Sequence, residues 1–296
     1  MNHTPSSSLA PEFPAYLLDS YSDRERLYGQ YELVRAEVHD GLERALALGG
    51  LPTAAATAEW RALDVGCGEG LFAADIVRRY PHVQVVGFDR DPEAILTAAT
   101  VFGRPGSLDF YVHDVCQPLP AHFSAGSDTT SARDFDLVFA NVVLMHIREV
   151  QRALTNLADA LQPGGVIYTR DWDPVPLPFP HPSFQALSIA GVAALNRTAC
   201  PDFTAQTPTY LADAGFTDIT SSRHTYTIGG PTLAGQRMLH NLISGFQAAR
   251  SALVEHLALL SAAEYDQHLQ RLATEITPAM ACAMVMVTTV ARKPDR

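Results

Sequence analysis

One stretch constrains the fold more than any other. It is Ala62-Leu63-Asp64-Val65-Gly66-Cys67-Gly68-Glu69-Gly70-Leu71, an apolar run that closes in three alternate glycines and then takes on helical spacing. A strand, a glycine turn and a helix start in that order describe a turn that lets a ligand touch backbone. Without Cβ atoms, Gly66, Gly68 and Gly70 can adopt φ > 0 and admit a ligand's polar atoms to the main chain at the positive end of the following helix. The stretch therefore predicts a binding loop.

Spacing then separates the candidate ligands. The dinucleotide fingerprint G-x-G-x-x-G requires a third glycine at position 71, where Leu71 stands. The pattern here is D-x-G-x-G-x-G, and the leading Asp64 repels a pyrophosphate but suits an ammonium group. In this the chain resembles the class I S-adenosylmethionine-dependent methyltransferases, whose first motif reads like LDVGCGEG. Leu161-Gln162-Pro163-Gly164-Gly165 resembles the family's next most recognisable signature. The resemblance implies a three-layer α/β fold on a seven-stranded, mostly parallel sheet with an antiparallel last strand. It also implies that Gly66, Cys67, Gly68 and Gly70, with Asp64, cradle the methionine end of S-adenosylmethionine.

Composition closes off other classes. The 296 residues, 47% of them hydrophobic, suffice for one α/β domain with a large core and a cap. A net charge of -11 disfavours a nucleic-acid surface, which needs clustered Lys and Arg. Lysine occurs only at Lys293, which argues against a Schiff-base or P-loop lysine. Cys67, Cys116, Cys200 and Cys282 form no C-x-x-C pair, so neither a disulfide framework nor a metal site is expected. No apolar run is long enough to span a bilayer, and the start lacks the pattern of a secretory signal. The expectation is a cytoplasmic protein that acts on a small-molecule acceptor, with no nucleic-acid or membrane partner.

In chain order, residues 1–14 are Ser/Pro-rich and expected to be disordered, 15–59 form an N-terminal helical lid, and 60–296 form the main domain. Leu27, Tyr31, Val34, Val38, Leu42 and Ala45 recur at three- and four-residue steps and predict a helix over 22–48. Under the resemblance such a helix lies over the donor pocket, making Tyr21, Arg26, Tyr28 and Gln30 lid contacts; otherwise it packs on the sheet edge. The strand 83–89 ends in Asp89, roughly twenty residues after the glycines, where an acid meets ribose hydroxyls; Arg90 adjoins it. Asp91, Pro92 and Gly103 bound the next helix. The resemblance assigns Asp114 to the adenine amino group and the Val115 amide to a ring nitrogen. Residues 117–134 read as an extended surface loop.

The fourth strand, 135–141, leads into Val142, and in the resembling fold Asn141 and Val142 face the sulfonium and the acceptor. The absence of an NPPY-like sequence points to the small-molecule branch. His146 is a candidate general base, or a packed histidine beside the donor. After a fifth strand over 166–170, Asp171 can orient an acceptor or take its proton and Trp172 can wall the pocket; both also suit a turn before Pro174. Segments at about 174–206 and 231–278 predict helical insertions. They comprise a helix over 183–196 in the first, and in the second a long one over 232–260 and one opened by the capping box Ser261-x-x-Glu264; between them a helix starts at Thr207-Pro208 and ends at Gly215, and a sixth strand covers 216–228. These insertions are expected to form a lid whose apolar residues, Phe184 and Met238 with Phe203, Tyr210, Leu242 and Phe246, either line an acceptor chamber or are simply core, as such positions at helical spacing mostly are. The last strand is 280–292. The reaction implied is in-line methyl transfer to an O, N or C atom of a small or medium hydrophobic metabolite. The rivals are the same fold without methylation, as an isomerase, cyclase or regulatory binding module, and a dinucleotide oxidoreductase.

Overall fold

The computed structural model describes residues 24–51, 59–120, 123, 134–200 and 202–295. Its strands are β1 Trp60–Val65, β2 Val83–Asp89, β3 Leu108–Val112, β4 Phe135–Asn141, β5 Leu161–Trp172, β6 Thr217–Gly229 and β7 Ala281–Arg292. They form one sheet in the order β3-β2-β1-β4-β5-β7-β6. The first five pair in parallel, and β7 runs antiparallel between β5 and β6. The strand order reverses between β1 and β4, and open sheets of this kind bind ligands outside the carboxyl ends of the strands at such a point.

The helices are α1 Arg24–Leu48, α2 Leu71–Arg79, α3 Pro92–Phe102, α4 Val150–Ala160, α5 Pro182–Thr198, α6 Phe203–Asp213, α7 Leu233–Ala248 and α8 Ala262–Glu275. α1, α2 and α3 bury their apolar stripes in one core, α4 and α6 in a second core on the opposite face of the sheet. β1, β2 and β4 read as near-continuous apolar runs because both of their faces are covered. Asp91 caps α3 by accepting from Glu93 N at 2.9 Å, and Ser261 with Glu264 completes the capping box of α8.

A buried carboxylate pins α1 to α2, and Glu43 adds a second link by accepting from Arg79 Nη2 at 3.0 Å. Asp75 accepts from Tyr31 Oη at 2.6 Å, Arg35 Nε at 2.9 Å, Arg35 Nη2 at 2.7 Å and His39 Nε2 at 2.7 Å, and also from Arg78. Burial, with Arg79 and Arg35 nearby, lowers the His39 pKa to about 4, so a neutral ring donates through Nε2. The amino-terminal half of α1 is thereby held across the carboxyl ends of the strands.

Four expectations need correction. The fifth strand runs beyond 166–170 in both directions: Leu161 pairs with Phe135, a bulge with Gly164 at φ 78° follows, and Asp171 and Trp172 pair with Val287 and Met286. The extension at the carboxyl end depends on β7, a partner distant in sequence, and that at the amino end on β4. α6 starts at Phe203 and contains Pro208; Thr207 Oγ1 donates to the Phe203 and Thr204 carbonyls at 2.8 and 3.2 Å, supplying the latter with the donor that proline lacks. The long helix over 232–260 is broken, because α7 ends at Ala248 and a π-helical turn, Ser251–His256, follows. Arg197 Nη1 on α5 donates to the Leu257 carbonyl at 3.1 Å and fixes the end of that turn. Within 117–134, Phe123 is buried against Tyr111 and Phe88 rather than exposed on a surface loop, with ring centroids 4.8 and 6.1 Å away. Residues 124–133 lie outside the described residues, as do the tail 1–14 and Tyr21.

Candidate active site

A cavity of about 1370 Å³ opens at the carboxyl ends of β1, β2 and β4 and is walled by α1, α5, α7 and β7. Pockets for one small ligand measure about 300–1,000 Å³, so this one has room for two molecules side by side.

The glycine loop forms one wall. Gly66, Gly68 and Gly70 have φ of 62°, 52° and 80°, a region costly for any residue with a Cβ. A Cβ at Gly70 would sit 2.5 Å from Phe110 Cζ, and one at Gly66 would sit 2.7 Å from the Val143 methyls. At Gly68 no atom lies within 4 Å, leaving the main chain open on the side where a Cβ would stand. Gly68 N donates to Asp89 Oδ2 and Asp91 N to Asp89 Oδ1, both at 3.0 Å. These bonds fix the carboxylate while leaving each oxygen further acceptor capacity. Burial raises the Asp89 pKa against the pull of those two N–H groups.

Asp64 stands on the same wall, 3% exposed, and its Oδ2 has no hydrogen-bond partner among the described residues. Burial, and then the charge of Asp89, pushes its carboxyl well above the usual range. The same burial, with Asp64 and Asp89 beside it, pushes the Cys67 thiol well up. Asp114 Oδ1 accepts from Cys116 N at 2.9 Å, and the carbonyl of the buried Val115 accepts from Asn156 Nδ2 at 2.8 Å. Arg90, Asp114 and Val115 are all on the cavity wall.

Beyond β4, Asn141, Val142 and His146 also line the cavity. Val142 is a β-branched residue at φ 59°, held there by its N–H bond to the Arg170 carbonyl at 2.6 Å; such strain persists only where the surroundings enforce it. Arg170 is 1% exposed and donates from Nη1 to Asn141 Oδ1 at 3.3 Å and from Nη2 to Tyr226 Oη at 2.8 Å. With its oxygen so engaged, the Asn141 amide can turn its N–H groups toward the cavity. The 3-10 turn Leu144–His146 carries His146 to the wall. Burial, and then the charge of Arg26, lowers its pKa to about 4.

Asp171 lies elsewhere than expected. It is not among the residues of the cavity wall but sits beneath the 3-10 turn, where Oδ1 accepts from Met145 N at 3.4 Å. Burial pushes its carboxyl up to about 7 against backbone N–H bonds from Met145 and Val143. It is placed to hold the turn rather than to touch an acceptor.

Among the expected acceptor contacts, Tyr28, Trp172, Met238, Leu242 and Phe246 are on the wall, as are Arg26 and Gln30. Phe184 is not: it is fully buried between Phe179 and Phe246, at centroid distances of 4.6 and 5.1 Å. Phe203 packs on Tyr210 in the second core, and neither reaches the cavity. Ser188, Asn241, Met284 and Met286 line the cavity without having stood out in the sequence. The two methionines read there as core of a last strand. Only the antiparallel pairing of Met286 with Trp172 brings them to the carboxyl ends of β4 and β5.

The comparisons with known proteins agree with this geometry. Residues 63–167, which hold the glycine loop, Asp89, Asp114, Asn141 and His146, match a family described as a methyltransferase domain. The chain carries a class I, Rossmann-like methyltransferase domain. Malonyl-[acyl-carrier protein] O-methyltransferase 1 of Ilyobacter polytropus is 26% identical over 148 residues, 50% of this chain and 48% of its own length. An uncharacterized methyltransferase of Mycobacterium bovis is 35% identical over 105 residues, 36% of this chain and 47% of its own. The chain thus spans about half the length of the curated relatives it matches. In fold, the methyltransferase domain and its additions resemble Haemonchus contortus phosphoethanolamine N-methyltransferase 2, solved with phosphomonomethylethanolamine and S-adenosylhomocysteine. The TM-score is 0.50 at 19% identity, over 86% of this chain and 52% of that one. No helix among the described residues is long and apolar enough to cross a membrane.

Proposed function

We propose that this chain binds S-adenosylmethionine between the glycine loop and the ends of β2, β3 and β4, and transfers its methyl group to a small acceptor in the remainder of the cavity. One observation carries the reading: the open backbone at Gly68 is tied to the doubly held carboxylate of Asp89, beside a buried Asp64 oxygen without a partner. A donor with an ammonium group and a ribose diol fits this set. The ammonium satisfies Asp64 and relieves its repulsion with Asp89, and the hydroxyls donate to the capacity Asp89 retains. Asp114 and the Val115 amide, on the same wall, suit the amino group and ring nitrogen of adenine.

When bound, the donor supplies an electrophilic methyl group on a sulfonium. The protein's part is to align two partners and exclude water. α1 closes the cavity, Asn141 and the strained Val142 shape the wall at the end of β4, and His146 faces the same space. Burial keeps the His146 ring neutral at neutral pH and makes it a weaker base than a free imidazole, so its part is to accept the hydrogen bond of an O–H or N–H acceptor and to take the proton as the methyl group transfers. Asp171 acts through the turn that carries His146 and is a positioning residue.

The test combines binding and turnover. S-adenosylhomocysteine is expected to raise the melting temperature, and NAD and NADP to leave it unchanged; the reverse result overturns the reading. Transfer of label from methyl-labelled donor across an acceptor panel separates turnover from binding alone. Tight donor binding without transfer to any acceptor favours a non-methylating role for the same site. His146→Gln is expected to bind donor normally and to slow transfer; a rate near wild type removes His146 as the base.

A further inference from the structure

The second half of the cavity has a chemistry of its own. From Trp172 onward the described wall residues include Val192 and Leu195 on α5, Met238 and Phe246 on α7, and Met284 and Met286 on β7, and none carries a charge. Every acidic residue of the described wall lies between Asp64 and Asp114, on the donor side. Besides the Trp172 indole, the polar side chains of this half are Ser188 and Asn241, and both are engaged within the protein. Ser188 Oγ accepts from Leu177 N at 2.8 Å, and Asn241 Nδ2 donates to the Arg26 carbonyl at 2.7 Å. The cation that faces this half from α1 is Arg26, whose Nη1 donates to Gln30 Oε1 at 2.9 Å and to Asn241 Oδ1 at 3.5 Å.

An ion is costly to bury in such a place unless a counter-charge pairs with it. A carboxylate here would have to draw Arg26 away from Gln30 and Asn241, and an ammonium would find no acid on this wall. An apolar body is favoured by every other surface. The methionines add polarizable, unbranched side chains that adapt to the shape of what they cover.

We infer that the acceptor is an uncharged molecule with an extended apolar body, its reacting group held at the His146 end of the chamber. The inference rests on the methyl-donor reading of the other half and sharpens it from a small acceptor to one chemical class.

Matched ligands of one chain length test it. Calorimetry on the full chain, with and without saturating S-adenosylhomocysteine, is run with 1-decanol, decanoate and decylammonium. Decanol is expected to bind at least about tenfold more tightly than either ion, a factor worth about 1.4 kcal/mol. Decanoate or decylammonium binding as tightly as decanol overturns the inference, and so does failure of all three to bind. A decanoate preference that disappears in Arg26→Gln overturns it by showing Arg26 to be a counter-charge. Leu242→Glu, at a half-buried wall position, is expected to weaken decanol about tenfold while leaving S-adenosylhomocysteine affinity intact, the latter serving as the check on folding. Unchanged decanol affinity in that variant means decanol binds elsewhere and also overturns the inference. Failure of S-adenosylhomocysteine to bind while decanol does strikes the donor reading and not this one.

Discussion

On the proposed function, the two halves of the cavity recognise their molecules by opposite means. The donor half is made of backbone and short acids: glycine main chain left open where a Cβ would stand at Gly68, and carboxylates that neighbouring amides hold in place. The acceptor half is made of long apolar side chains, with its few polar atoms turned inward to partners in the protein. The first arrangement fixes the position of one polar molecule atom by atom; the second excludes water and accepts a shape. A methyl transfer needs both, because an activated donor must be aligned while water is kept out.

α1 joins the halves, and removing its anchor tests whether they act as one site. Asp75→Ala leaves Tyr31, Arg35 and His39 without their common acceptor and is expected to cost about 3–5 kcal/mol in denaturant unfolding. Donor and decanol affinities should fall together; loss of only one would show that α1 serves a single half. Gly70→Ala strikes the donor half alone. The new Cβ meets Phe110 in a left-handed backbone, so about 2–5 kcal/mol of stability should be lost. Gly68→Ala, with open space at its Cβ, should cost only the backbone part, so equal losses for the two would refute the packing argument.

Asp89→Ala is expected to weaken S-adenosylhomocysteine by about 1–3 kcal/mol in calorimetry, with decanol affinity unchanged. A fall in both would mean the halves are coupled through more than α1. The turn between the halves gives a pH signature. The Asp171 pKa rises on folding from 3.8 to about 7, so the folded state binds the extra proton in that window and stability falls as pH rises through it. His146 has the opposite sign: its pKa falls from 6.5 to about 4, and stability is lost as pH drops through that range. Asp171→Asn should therefore gain stability relative to wild type as pH rises from about 4 to 7, as read from denaturation midpoints. A constant difference across that range would refute the buried, titrating carboxyl. The smallest effect belongs to Met286→Leu, which keeps volume and polarity class and should change stability by less than about 1.5 kcal/mol and leave donor affinity unchanged.

The legibility of the two halves in the sequence differs for a physical reason. Asp64, the three glycines and Asp89 sit in one βαβ unit, where strand, turn and helix follow from local pattern and the chain's own geometry brings them together. Asp91 and the Ser261 capping box were readable in the same way, since a cap is decided within four residues. For Asp171 the sequence leaves an acceptor contact and a turn role open, because side-chain direction at a strand end depends on what lies above it, here the turn carrying Met145. Phe184 was misread because a helical stripe shows that a residue is buried, not whether its neighbour is a cavity or Phe179.

The sequence by itself determined the order of the elements, the glycine loop and the acids that stand beside it, because these rest on periodicity, glycine conformation and fixed local spacing. Tertiary structure decided which of the expected apolar residues wall the chamber and which are core. Met284 and Met286 become wall residues only when β7 is laid antiparallel against β5. Arg170 comes to hold Asn141 only through the pairing of β4 with β5. Contacts between residues far apart in the chain are set by packing of whole elements, and no local pattern encodes which side chain will be left facing the space between them.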